Sequence, residues 1–154
     1  MHLRRLHRDD YGVVLDLDAT VFGEHECRPD VGSHTAWWLV DDDEGKPCAY
    51  AGAMLWEPDS AVYLHRAGVL PHARGRGLQR KLIFARERWA RAKGAACSYT
   101  YTSHLNTTSA NNLIACGYRM WLPTTWGGSR YPSRPSAEQA WLYWIKTLTR
   151  PAGA

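Results

Sequence analysis

Apolar and polar positions alternate along this chain with two distinct periods. From Leu78 to Lys93 the apolar residues Leu78, Leu82, Ala85, Trp89 and Ala92 step by four and three, which places them on one helical stripe. Glu87 can pair with Arg91 one turn later, and Gly94 supplies a stop. Asp9–Phe22 has the same signature, with Val13, Leu17 and Val21 at i, i+4 and i+8 behind Asp9 or Asp10 as a cap. Asn106–Cys116 predicts a third helix that ends at Gly117. Strand-like runs occupy His2–Leu6, Trp37–Val40, Cys48–Trp56, Ala61–Val69, Ala96–Thr102 and Trp141–Leu148. The polar runs 41–46 and 57–60 read as turns between them. Gly23–Ser33 is irregular and acidic, and the Pro-, Gly- and Ser-rich stretch Leu122–Gln139 reads as a long loop of the kind that often carries function. The order β-α-ββ-β-α-β-α-β-β predicts an α/β fold around one mixed sheet, a single domain over residues 1–154.

Composition narrows the class. With 45% hydrophobic and 22% charged residues the chain reads as an ordinary globular protein. No run of about 18 apolar residues is present, which predicts no membrane span, and no secretory signal pattern opens the chain. Cys27, Cys48, Cys97 and Cys116 form no C-x-x-C pair, and the seven His have no ligand spacing. Reduced thiols, no metal and a cytoplasmic location are therefore expected. Charge is split along the chain: residues 1–60 hold 13 acids and 5 bases, residues 61–154 hold 2 acids and 14 bases. A basic half suits a polyanionic ligand and an acidic half a cationic partner.

The basic half concentrates its charge at one turn. Residues 69–82 run Val-Leu-Pro-His-Ala-Arg-Gly-Arg-Gly-Leu-Gln-Arg-Lys-Leu between a strand and a helix. Gly75 and Gly77 let several backbone N–H groups converge on one anion, and Arg74, Arg76 and Arg80 surround them. A nucleotide P-loop would need Lys-Ser or Lys-Thr after Gly77, which is absent. A dinucleotide fingerprint would need a third Gly where Arg80 stands. Three arginines in seven residues also argue against a turn that serves chain geometry alone.

Val69-x-Pro71-x-x-Arg74-Gly75-Arg76-Gly77-Leu78-Gln79-x-x-Leu82 resembles the acetyl-CoA motif of the GNAT superfamily of N-acetyltransferases. Asn106-x-x-Ser109-x-Asn111-Asn112-Leu113-Ile114-x-x-Gly117-Tyr118 is similar to that family's asparagine-containing helix and Gly-aromatic pair, in the family's order. The resemblance implies a central, mostly antiparallel sheet of six to seven strands, flanked by helices and splayed between its fourth and fifth strands, Ala61–Val69 and Ala96–Thr102. Acetyl-CoA, as co-substrate, would enter that splay. Backbone groups of Val69 and Leu70 would meet the pantetheine. The amides of Gly75, Gly77, Leu78 and Gln79, with the charges of Arg74 and Arg76, would hold the pyrophosphate. Asn106 and Ser109 would lie near the thiol end. Gln79 stands where the family often has Gly or Ala, and its side chain could face phosphate or solvent.

The implied reaction is transfer of an acetyl group to a primary amine by direct attack, which needs a base, an oxyanion donor and a proton for the thiolate. The backbone N–H of Leu70 is the expected oxyanion donor. Alternation puts Tyr63, His65 and Ala67 on one strand face, and His65, titrating near neutrality, is a candidate base. Glu24 and Glu26 are further candidates, as base or as an attraction for an ammonium. The family's usual tyrosine acid falls on Leu113, so Ser109, a water, a fifth-strand tyrosine or Tyr118 would have to substitute. Tyr99, Tyr101 and His104, with Trp121, Trp126 and Tyr131, could line the acceptor pocket or simply pack. The acceptor is expected to be a small molecule or a peptide, with a homodimer left open. An acyl-CoA-binding sensor without catalysis is the second reading. A nucleic-acid binder, using the basic half and tyrosine faces, ranks well below both.

Overall fold

The computed structural model describes residues 1–23, 28–56, 60–121 and 141–148. In chain order the elements are β1 (His2–Arg5), α1 (Gly12–Phe22), β2 (Thr35–Asp41), β3 (Pro47–Trp56), β4 (Ala61–Tyr63), β5 (Ala67–Val69), α2 (Leu78–Ala92), β6 (Cys97–Ser103), α3 (Thr107–Ala115), β7 (Arg119–Met120) and β8 (Trp141–Thr147). They build one mixed sheet in the order β1-β2-β3-β4-β6-β8-β7, with β5 paired, among the described residues, to β3 alone. All pairings are antiparallel except β4 with β6. Among the described residues no helix is long and apolar enough to cross a membrane.

The sheet is covered on both faces, and β2 is accordingly buried along its whole length. Its side chains alternate: Trp37 and Leu39 pack with Val14 and Leu17 of α1, while Trp38 and Val40 pack with Leu78, Leu82 and Ile83 of α2. Helix α1 starts later than the acidic cap predicts. Residues 8–10 form a single 3-10 turn, and no side chain caps the helix after it. Buried Tyr11 holds the start instead, its hydroxyl donating to the Thr35 carbonyl at 3.0 Å.

Two departures from the predicted pattern matter for the site. The buried stripe of α2 is Leu78, Leu82, Ile83, Arg86, Glu87 and Ala90, whereas Ala85 and Trp89 are half-buried and Ala92 is exposed. The helix thus sits rotated and carries two charged residues inward. The predicted strand Ala61–Val69 is two strands, because the register against β3 advances by one residue between the Met54–Tyr63 and Ala51–Ala67 pairs. That extra residue is a β-bulge, and it flips the alternation. Tyr63 packs with Met54 and Tyr99, whereas Ala67 packs against the α2 cluster. Ala67 therefore does not share a face with Tyr63. The split, together with the short strand β7, gives eight strands among the described residues instead of six or seven.

Candidate active site

The bulge is where the sheet opens. β4 pairs in parallel with β6 over residues 61–63 and 97–99, and the Leu64 N–H still reaches the Tyr99 carbonyl at 2.9 Å. Beyond it β5 pairs with β3 only. The Gly52 N–H donates to the Arg66 carbonyl and the Leu70 N–H to the Cys48 carbonyl, both at 2.9 Å. Antiparallel pairs alternate between bonded and non-bonded, so residues 67 and 69 turn their backbone groups away from β3 and into the gap. Leu70 is the wrong residue for an oxyanion donor: its N–H is taken by Cys48 and its carbonyl by the Ala73 N–H. Ala67 and Val69 have the orientation that Leu70 lacks.

A cleft of about 720 Å³ occupies this gap. The edge of β5 forms its floor, and Gly75, Gly77 and Leu78 close one end. Asn106, Ser109 and Asn112 of α3 make the far wall, and Val21 and Phe22 at the end of α1 make the near one. Gly75 and Gly77 both adopt left-handed backbone, φ +76° and +71°, where an L side chain costs about 1–2 kcal/mol. Gly77, at the N-cap of α2, has no side chain to cap it, so the N–H groups of the first turn and the positive end of the helix dipole are open to an anion. Uncapped amides at one end and the gap-facing edge of β5 at the other fit the pyrophosphate and the amide-bearing arm of a CoA thioester.

Val69, Arg74, Gly75, Gly77, Leu78, Gln79, Asn106 and Ser109 thus meet in one cleft. Arg76 is exposed and does not line it. The Gln79 side chain faces neither phosphate nor solvent alone. It donates to Ser109 Oγ at 3.0 Å and accepts from Asn112 Nδ2 at 2.8 Å, which ties α2 to α3. Arg80 Nε reaches Asn112 Oδ1 at 2.9 Å, and Arg74 Nε reaches the Val69 carbonyl at 3.2 Å. Asn106 is the cap of α3, its Oδ1 accepting the Ser109 N–H at 3.0 Å. Sequence reasoning missed Phe22 and the backbone of Ala67, the one because a helix end gives no cleft signal and the other because the bulge is invisible in the residue pattern.

His65 and Tyr63 lie outside the cleft lining, at the bulge. The His65 ring packs edge-on to Trp37 at 5.5 Å and near Tyr63 at 5.7 Å, and its Nε2 accepts the Asp30 N–H at 3.2 Å. Burial pushes its pKa down to about 4, so the near-neutral titration expected of it does not hold. Leu113 is buried core. Tyr118 is buried too, its hydroxyl shared with Ser98 Oγ at 2.7 Å, and burial pushes its pKa up, so it cannot serve the cleft as an acid. Tyr63 stacks on Tyr99 and Tyr101, with ring centroids 5.3 and 5.9 Å apart, and Trp121 packs beside them. Glu24, Glu26, Trp126 and Tyr131 lie outside the described residues.

Comparison with known proteins agrees with this geometry. The model of the acetyltransferase (GNAT) family matches residues 2–118. Among solved structures, the ribosomal-protein-S18-alanine N-acetyltransferase from Escherichia coli superposes with a TM-score of 0.73 at 13% identity, covering 99% of this chain and 96% of that one. A phosphinothricin acetyltransferase from Sinorhizobium meliloti, solved in complex with AcCoA, superposes at 0.70 with 15% identity, covering 99% and 91%. A spermidine N-acetyltransferase chimera from Vibrio cholerae and hSSAT superposes at 0.67 with 13% identity, covering 96% of each. No curated protein matches by sequence. The family match spans most of the chain, including the glycine turn, the bulge and the asparagine-capped helix, and the protein belongs to the GNAT acetyltransferase family.

Proposed function

We propose that the protein moves an acetyl group from acetyl-CoA to the primary amine of an acceptor by direct attack. The observation that carries the reading is the cleft: uncapped amides of α2 at one end and the gap-facing edge of β5 at the other. The pyrophosphate would sit on the amides of Gly75, Gly77, Leu78 and Gln79, with Arg74 adding charge. Backbone groups of Val69 and Ala67 would pair with the pantetheine, and one of their N–H groups would meet the thioester oxygen.

In the reaction the amine nitrogen forms a bond to the acetyl carbon and the carbon–sulfur bond breaks. The nitrogen loses a proton and the departing CoA thiolate gains one. Ser109 is the hydroxyl we assign to the second transfer, directly or through water, since its Oγ accepts from Gln79 and keeps its own proton to give. Glu24 is the carboxylate we assign to the amine. His65, with a pKa of about 4, is a poor proton acceptor at pH 7.

Thiol release from acetyl-CoA over a panel of small amines, polyamines and peptide N-termini tests this. Turnover with at least one class is expected. The second reading, a sensor that binds acyl-CoA without turnover, is favoured by Leu113 in the core where the acid tyrosine would stand. CoA binding with no thiol release across the panel would select it. A nucleic-acid role has less support, because Arg74 and Arg80 are directed at the cleft's own walls.

A further inference from the structure

Buried charge holds the bulge between β4 and β5 from both faces of the sheet. From the α2 side, Arg86, 3% exposed, donates Nη1 to the Gly52 carbonyl at 3.1 Å and to the His65 carbonyl at 3.2 Å. Its Nε goes to the Leu82 carbonyl, one turn back, at 3.1 Å. From the α1 side, Asp18, also 3% exposed, takes Arg66 Nε and Nη2 at 2.8 and 2.9 Å and the hydroxyl of Tyr50. The Tyr50 ring fills the place where Gly68 would carry a side chain, since a Cβ there would lie 2.5 Å from it. Arg86, Asp18, Arg66 and Tyr50 do not line the cleft, whereas Gly68 and Leu82 do.

A buried arginine is a costly way to fill helix volume, and an apolar residue of similar size is usually as good or better. Position 86 has a reason for the charge. An extra residue in a strand disturbs the ladder and leaves carbonyls in need of donors, and those of Gly52 and His65 lie at the disturbance. The guanidinium offers several donors in a rigid fork, whereas an ammonium is a compact point charge and a methionine offers none. Arg86 also shares its helix with the amide cradle. Eight residues separate it from Leu78, about 12 Å of helix, so α2 sets the spacing between anion and bulge.

We propose that Arg86 and the Asp18–Arg66–Tyr50 cluster are positioning residues: they fix the bulge and, through it, the direction in which the Ala67 and Val69 N–H groups face the cleft. The proposal deepens the acyl-transfer reading and rests on it for its consequence, that the thioester carbonyl is polarised only while the clamp is intact.

The test compares the wild type with Arg86→Lys and Tyr50→Phe. Amide hydrogen exchange at Gly52 and Leu70, whose N–H groups pair with the Arg66 and Cys48 carbonyls on either side of β5, reports the bulge in the free protein. The carbonyl stretch of ¹³C-acetyl-CoA in the complex reports polarisation. Arg86→Lys is expected to bind CoA within about threefold of the wild type, to exchange those two amides at least about tenfold faster, and to return the carbonyl band towards its solution frequency. Tyr50→Phe, which removes a hydroxyl and no carbon volume, should move both readouts the same way by less, and it carries the test if the Arg86 variant does not fold. Wild-type exchange and band position in the variants would overturn the proposal. So would faster exchange spread evenly over all strands, the mark of general destabilisation. Failure of the wild type to bind acetyl-CoA would count against the acyl-transfer reading, while the exchange arm would still decide the clamp.

Discussion

His65 is held by contacts that remove it from proton transfer at neutral pH. A strand histidine between a predicted cleft and an acidic loop reads as a general base, yet its ring is packed against Trp37 and its Nε2 is already an acceptor for the Asp30 N–H. Those contacts come from β2 and from the segment before it, distant in sequence, so no local pattern could have shown them. Its folded pKa of about 4 lies below the unfolded value near 6.5, so between those pH values the unfolded chain binds more protons. His65 therefore lowers stability as pH falls from 6.5 towards 4, by a few kcal/mol at most, and has no such effect above pH 7. Urea unfolding of the wild type and His65→Gln across this range checks the sign. The substitution should flatten the slope, and equal slopes would show that the histidine is not buried as described.

Elements were legible where packing obeys periodicity and illegible where charge goes inward. The sequence placed all three helices and the five longer strands within a few residues, because apolar spacing and the stops at Gly94 and Gly117 are local signals, and it ran β4 and β5 together as one. It missed the rotation of α2, which buries Arg86 and Glu87. Glu87 is fully buried, where it holds Lys146 at 2.8–2.9 Å and Arg91 at 3.0 Å, and only the tertiary partner makes that affordable. Nor did it show what joins α2 to α3. The Gln79 amide spans Ser109 and Asn112, so it acts as a strut between the cleft's two helical walls. Gln79→Ala should cost about 1–2 kcal/mol in unfolding free energy from the two lost side-chain bonds. The measurement is the urea midpoint at constant m-value, and an unchanged midpoint would mean that the strut carries no energy.

Across the whole molecule, the opposed charges of the two halves converge on one construction. The basic half supplies α2, its glycine turn and the arginines around it, and the sheet opens where the chain passes from β4, which pairs with β6, to β5, which pairs with β3. The phosphate end of the candidate site could be read from sequence because a glycine turn before a helix is a contiguous signal. The acyl end could not, because the bulge, the gap-facing N–H groups and the clamp behind them arise from pairing among distant segments. This cleft is proposed to bind acetyl-CoA through the amides at the start of α2. Thermal unfolding with and without acetyl-CoA tests it most directly, with Gly77→Asp, which adds a Cβ at φ +71° and a negative charge in the cradle, as the control. At about a hundred times its Kd the ligand contributes about 2.7 kcal/mol, a rise of roughly 5–10 °C in Tm for a chain of this size. That rise is expected for the wild type, and its loss in Gly77→Asp. An unmoved wild-type Tm at millimolar acetyl-CoA, or an equal rise in the variant, would contradict the proposal.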